Sequence, residues 1–244
     1  MQATGYDTRI ANASPKISAR DRIWKSLTKW LPLFSPTRQK VLSTLPASNW
    51  ELEEKAVKIA RPNNMKLAAY EGVEEYTSRE GSYVSPYYHN TRNPSRVKWL
   101  NDNEDILTYL NMRMGDENVA KIIANTKTSP LQFKWLDSCG VATQSLLDYA
   151  SQPAKTGSVI FVTVYANSHR NTRKFNLPES LRWNYQGNLV KGVREEMEKG
   201  GWRCFDVLRY KAKSHSCSWM LQMGFTNSTR VWRELKNSSI YYKD

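Results

Sequence analysis

"LQFKWLDSCGVATQSLLDY", residues 131–149, changes period in its middle, and the reading of the whole chain turns on that change. The run 131–136 reads as a buried strand, and Asp137-Ser138-Cys139-Gly140 as a tight turn. Ala142, Leu146, Leu147 and Ala150 then recur at helical spacing. A strand that feeds a helix through a polar turn is the unit of an α/β sheet. Groups at the carboxyl end of such a strand are often the working end of a site. A structural turn uses the same residues, so the flanking segments decide.

Downstream, "GSVIFVTVYAN" (157–167) is the strongest buried-strand signal in the chain. A helix over 180–199 follows, with Leu189, Val190, Val193 and Met197 on one face and Gly200-Gly201 as its stop. "WRCFDVLRY" and "CSWMLQMGF" then predict an antiparallel hairpin. Upstream, "KVLSTLP" (40–46) predicts a short strand closed by Pro46. "SNWELEEKAVKIA" predicts a helix with a Ser48–Glu51 capping box; Glu53 and Glu54 suit the positive end of its dipole. "MKLAAYEGVEEY" (65–76) reads as a strand ending in acids, and 77–96 as a long loop rich in Tyr, Ser, Asn and Arg. Residues 97–110 predict a third strand, a polar turn at 101–103 and a helix from Glu104; 118–125 predict a further short helix. Five strand–helix steps and a closing hairpin imply an α/β fold. Its sheet is mostly parallel and Rossmann-like, with helices on both faces and a C-terminal antiparallel β-hairpin.

The ends read differently. In "SARDRIWKSLTKWL" (18–31), Ile23, Trp24, Leu27, Trp30 and Leu31 make one apolar helix face, with Arg22, Lys25 and Lys29 opposite. The expected organisation is a basic N-terminal helical extension (1–39), the main domain (40–228) and a polar C-terminal tail (229–244) carrying a short helix at 229–236. The N-terminal helix is also a candidate surface for a protein partner. Packing on its own domain is the commoner fate of such a helix, and membrane contact the rarer one.

Charge narrows the partners. Thirty-six Lys+Arg against 23 Asp+Glu leave +13, which favours a polyanion, nucleic acid first. Cys139, Cys204 and Cys217 are odd in number and share no CxxC spacing, which argues against a disulfide framework or a structural zinc site. His89, His169 and His215 lie far apart, so no metal site is expected. The first residues lack the apolar core of a signal peptide, and no run approaches a membrane span. A cytoplasmic location is expected.

The order of elements resembles the class I S-adenosylmethionine (SAM)-dependent methyltransferases, above all the compact, divergent forms of bacteriophages and mobile elements. If phage-encoded, the chain would act in the host cytoplasm. The local matches are "KVLSTLP", "GVEE", "WLND", "WLDSCG" and "VIFVTV" at the first five strands and "CSWMLQMGF" at the seventh, covering roughly 40–226. The resemblance implies a SAM site across the carboxyl ends of strands one to four. Leu45 and Pro46 would lie in its first loop, Glu74 (or Glu71) on the ribose hydroxyls, and Asp102 or Asn103 on the adenine amino group. Asp137 would sit beside the methionine end and orient the acceptor. The first loop departs from the family: Leu45-Pro46-Ala47-Ser48-Asn49 contains no glycine. Acids at Glu51, Glu53 and Glu54 argue against a dinucleotide pyrophosphate at that helix start.

The implied activity is methyl transfer to nucleic acid. The alternative is a catalytically inactive nucleic-acid-binding or assembly subunit of the same fold. "DSCG" departs from an Asp-Pro-Pro-aromatic amine site, and Cys139 lacks a preceding proline. A Lys-Asp-Lys-Glu tetrad could take Lys40 and Asp137, but the last hairpin strand holds no glutamate. Candidate nucleic-acid contacts are Arg20 and Lys25 on the first helix, and Arg79, Tyr87, Tyr88, Arg92 and Arg96 around the 77–96 loop. Arg170, Arg173 and Lys174 after the fifth strand complete the set. Tyrosines stack on bases and cations meet phosphates, although loops of this composition are often simply solvated.

Overall fold

The computed structural model describes residues 14–45, 51–72, 76–78, 81–83, 91–112, 130–137, 142, 144–166, 187–211 and 219–236. The strands are β1 (Lys40–Thr44), β2 (Met65–Gly72), β3 (Tyr76–Ser78), β4 (Gly81–Tyr83), β5 (Leu107–Met112), β6 (Leu131–Asp137), β7 (Val159–Tyr165), β8 (Arg203–Lys211) and β9 (Trp219–Thr226). The helices are α1 (Ser14–Trp30), α2 (Glu51–Ala60), α3 (Pro94–Asp102), α4 (Gln144–Ala150), α5 (Gly187–Lys199) and α6 (Thr229–Lys236).

Seven strands form one sheet in the order β5-β2-β1-β6-β7-β9-β8, and β3 pairs with β4 as a separate two-stranded unit. Every neighbouring pair is parallel until β9, which runs antiparallel to both β7 and β8. The predicted hairpin is present, but its second strand is inserted beside β7 and its first strand forms the edge. Burial explains that order. Met220 to Thr226 are all buried, as a strand covered on both faces requires, whereas Arg203 on β8 is exposed. At Gly224 an added Cβ would meet Phe205 Cζ at 2.7 Å and Phe161 Cε1 at 2.8 Å. The missing side chain lets those two rings meet edge to face at 5.5 Å.

One face of the sheet carries α1, α2 and α6. Ile23, Leu27 and Trp30 join Ala56, Val57, Ala60, Val231 and Leu235 over Leu42, Leu67, Phe133 and Phe161. The other face carries α4 and α5, with Leu147, Ala150, Val193 and Met197 over Ile160, Val162, Leu221 and Met223. Helices α1 and α6 therefore share one core with the sheet. Fully buried Trp30 fastens α1 by donating its indole N–H to Gly157 O at 2.7 Å. The apolar stripe of α1 packs inward, leaving Ile17 as the exposed large hydrophobic residue among those described.

The third β/α step corrects the sequence reading. Residues 97–100, expected as a strand, lie in helix α3, and the strand is 107–112, where a helix was expected from Glu104. The physical reason is a cap inside the expected loop. Asn93 accepts hydrogen bonds from the backbone N–H groups of Ser95 (3.0 Å) and Arg96 (3.3 Å), and Pro94 occupies the first helical position. The same "long loop" contains β3 and β4.

A candidate active site at the carboxyl rim of the sheet

From β1 the chain proceeds to β2 and β5 on one side; with β6 it resumes on the other side of β1. The connections thus reverse between β1 and β6, and the carboxyl ends of those strands flank the crevice where open α/β sheets bind ligands. β1 reaches that rim with Thr44 and Leu45, and β6 with Trp135, Leu136 and Asp137.

Thr44 is paired in register with Trp135, and both point to the α1/α2 face. Thr44 is buried, and Trp135 is 9% exposed with an indole N–H that has no hydrogen-bond partner. An unpaired buried donor is costly in a finished core, by about 1–3 kcal/mol, and at a rim it is a ready group for a ligand acceptor. Asp137 lies one side-chain repeat further out, half-buried and in register with Thr163 of β7.

Beside Thr44 sits an acid that the sequence suggested only as a charge at the helix start. Glu53, in the first turn of α2, is 2% exposed. Burial raises its carboxyl above the ordinary glutamate range. The Thr44 hydroxyl, its own backbone N–H, Arg20 and Arg96 all pull in the opposite direction. Its signal lay in the helical pattern: residues 53, 56, 57 and 60 are all buried, so the charge occupies the packing stripe.

Lys134 was also passed over. It is 2% exposed on the opposite face of β6, next to Ser43 and Ile160, and burial pushes its amine down to about 7. A lysine in the centre of an otherwise apolar run is the trace it leaves in the sequence.

Several expectations change place. Asp102 and Asn103 end α3 before β5 begins, which puts them at the amino rim, across the sheet from Asp137. There Asp102 pairs with Lys98 at 2.7 Å, and Asn103 donates to Trp99 O at 2.8 Å. They cannot share a crevice with Asp137. Lys40 likewise starts β1 at the amino rim, where its Nζ donates to Ser35 O (3.0 Å), Arg38 O (2.9 Å) and Asn63 O (3.2 Å). That placement removes it from any tetrad with Asp137. Glu71 stands in the last two residues of β2, at the carboxyl rim. Glu74 and Pro46 lie outside the described residues; Leu45 packs half-buried against the α4/α5 core.

Of the proposed nucleic-acid contacts, Arg79, Tyr87, Tyr88, Arg170, Arg173 and Lys174 lie outside the described residues. Lys25 and Arg92 are exposed, whereas Arg20 is half-buried. Arg96 is held by Glu54 at 3.2 Å and lies 5.5 Å from the Trp99 ring. Among the described residues, no group of three or more His, Cys, Asp or Glu could hold a metal, and no helix is long and apolar enough to cross a membrane.

No protein-family description matches the sequence, and no curated protein matches it either. The fold does have counterparts. CurJ carbon methyltransferase aligns with 89% of this chain and 57% of its own, at 9% identity and a TM-score of 0.53. Geranyl diphosphate C-methyltransferase from Streptomyces coelicolor A3(2), in a complex containing S-adenosyl-L-homocysteine, aligns with 93% of this chain and 83% of its own (8% identity, TM-score 0.49). M. jannaschii TYW2, in complex with AdoMet, aligns with 88% and 77% (12% identity, TM-score 0.43). The chain has the class I, Rossmann-like methyltransferase fold.

Proposed function

We propose that the protein is a SAM-dependent methyltransferase whose acceptor is a nucleic acid. The observation that carries the reading is the carboxyl rim at the β1/β6 reversal. It gathers a carboxylate at the end of β6, a buried indole N–H without a partner, and a threonine hydroxyl. Those groups suit an adenosyl amino acid, which presents both hydrogen-bond acceptors and an ammonium. When bound, SAM supplies an electrophilic methyl group on a sulfonium centre. Asp137 would hold the cofactor ammonium or the acceptor, Trp135 would donate its N–H, and Glu71 is placed at the end of β2 on the same rim. The chain's contribution is chiefly positioning, which is worth several orders of magnitude in rate when two reactants are held in line.

Nucleic acid is favoured as acceptor by the net charge of +13. Exposed described cations include Lys25 and Lys29 on α1, Arg203 on β8, and Arg230 and Arg233 on α6. The test is calorimetric titration with SAM, followed by Asp137→Ala. That variant should lose methyl transfer while melting at nearly the wild-type temperature; a large fall in melting temperature would make Asp137 a structural residue instead. Affinity for single-stranded oligonucleotides should fall steeply with salt, and a flat dependence would remove nucleic acid as the acceptor.

One observation favours a second reading. The first loop, Leu45-Pro46-Ala47-Ser48-Asn49, lacks the glycines that let backbone approach a ligand closely. A non-catalytic nucleic-acid-binding subunit of the same fold would show salt-dependent oligonucleotide binding and no heat with SAM.

A further inference from the structure

Helices α1 and α6 pack against each other and against β8 on the same face of the sheet. α1 runs toward the amino rim: Gln222 of β9 donates to Ala19 O at 3.1 Å, Arg22 pairs with Asp206 of β8, and Trp30 reaches Gly157 O. Lys25 and Lys29 follow Arg22 by three and seven residues, which keeps them on the line of α1 that looks toward β8 and α6. Both are exposed. On α6, Val231 and Leu235 face the core, so Arg230 and Arg233 point outward, and both are exposed. On the flank of α6 beside β8, the Trp232 ring holds two further cations. Arg203 Cζ, from the start of β8, lies 5.5 Å from its centroid, and Lys236 Nζ 4.3 Å. The indole N–H donates to Cys204 O at 2.7 Å, which fixes the ring against the strand.

The acids of α1, α6 and this part of β8 do not neutralise the band. Asp21 and Glu234 are exposed, and Asp206 is buried beneath its ion pair with Arg22. Among the described residues, none of Lys25, Lys29, Arg203, Arg230 and Arg233 is paired with a carboxylate. On the opposite face the exposed cations of α5 are paired, Lys191 with Glu195 at 3.7 Å and Lys199 with Glu196 at 2.7 Å. A guanidinium laid on an aromatic ring, unlike one locked in a carboxylate fork, keeps its N–H edge for another acceptor.

We propose that the face formed by α1, α6 and the start of β8 docks the phosphate backbone of a nucleic acid. A membrane-surface helix would turn an apolar stripe outward. Here the stripes of both helices are buried in the core, and the exposed large hydrophobic residue among those described, Ile17, stands at the far end of α1. Arg203 lies three strands across the sheet and four residues along it from Asp137, a separation of about 20 Å. The surface is therefore an anchor outside the carboxyl-rim crevice, and a backbone held there leaves that crevice open to the cofactor. The proposal rests on the acceptor being a nucleic acid, and not on SAM being bound.

The experiment measures anisotropy of a labelled single-stranded oligonucleotide between about 50 and 200 mM salt. It compares wild type, Arg230→Gln/Arg233→Gln, and that pair combined with Arg203→Gln. Each cation removed should lower the slope of log affinity against log salt by about 0.7. The triple variant should bind at least tenfold more weakly at the lower salt, with its melting temperature and its binding of S-adenosylhomocysteine unchanged. Lys191→Gln/Lys199→Gln takes the same charge from the opposite face as the double variant does, and should stay within twofold of wild type. A triple variant within twofold of wild type overturns the proposal, as does a loss that tracks a fall in melting temperature. Equal losses in the two double variants overturn it too, because net charge alone would then explain the binding. Wild type that takes up phosphatidylserine vesicles and no oligonucleotide overturns both the surface and the choice of acceptor. Binding that is lost in the triple variant, while wild type takes up no S-adenosylhomocysteine, upholds the surface and refutes the transferase reading alone.

Discussion

The two rims of the parallel sheet differ among the described residues. At the amino rim most polar groups are closed upon one another, with Gln152 Oε1 the exception. The Lys40 ammonium caps three carbonyls. Asn227 accepts from the Gly157 N–H at 2.9 Å and donates to Ala154 O (2.8 Å) and Lys155 O (3.1 Å). Thr226 Oγ1 donates to Ser158 O at 2.8 Å, and Trp30 donates to Gly157 O. At the carboxyl rim, among the described residues, Trp135 has a buried N–H with no acceptor. Both rims belong to the same strands, so the difference is not one of fold. Among the described residues, the amino rim ties most of its polar groups to one another, and the carboxyl rim keeps a buried indole N–H that a ligand could complete.

The contrast can be broken by substitution. The largest effect is expected at the closed end and its supports: Trp30→Ala should lower unfolding free energy by about 3–5 kcal/mol, read from urea melts. A loss below about 1 kcal/mol would mean that α1 is a dispensable extension after all. Arg22→Ala comes next. It leaves Asp206, whose side chain is 4% exposed, as an uncompensated buried carboxylate, at a cost of about 3 kcal/mol. Asp206→Asn in the same background should recover part of that loss.

Lys134 sharpens the comparison through pH. Its amine is pushed down to about 7 by burial, so between that value and the ordinary 10.5 the unfolded chain binds the extra proton and stability rises with pH. Lys134→Met should abolish that slope and raise stability near neutrality, which melts at pH 7 and pH 9 would show. An unchanged slope would mean that the amine is solvated. The smallest effect is expected at the exposed Lys98–Asp102 pair, where either alanine variant should shift stability by less than about 0.5 kcal/mol.

How much of this was legible in the sequence follows from where the signals are local. β6, β7, α5 and the β8/β9 hairpin stand out because long apolar runs or a clean helical period mark them, and α6 was placed at 229–236 as observed. The third step was misread because α3 has no buried residue to give it a stripe, and its Asn93-Pro94 start resembles any loop. Asp102 and Asn103 were misplaced with it: a strand taken in the wrong position carries its end residues to the wrong rim. The place of Asp137 at a strand's carboxyl end was legible because the strand before it was. The burial of Glu53 and the unpartnered indole of Trp135 were not, since both depend on neighbours across the sheet or on another helix, which no spacing along the chain displays.

The central claim is that the carboxyl rim between β1 and β6 binds an adenosyl ligand. Calorimetric titration of S-adenosylhomocysteine into wild type and Trp135→Phe tests it most directly. One molecule should bind per chain. The variant should bind about tenfold more weakly, the equivalent of ~1.4 kcal/mol for one hydrogen bond to the indole N–H. Well-folded wild-type protein that takes up no ligand at millimolar concentration, or a variant that binds as tightly as wild type, would contradict it.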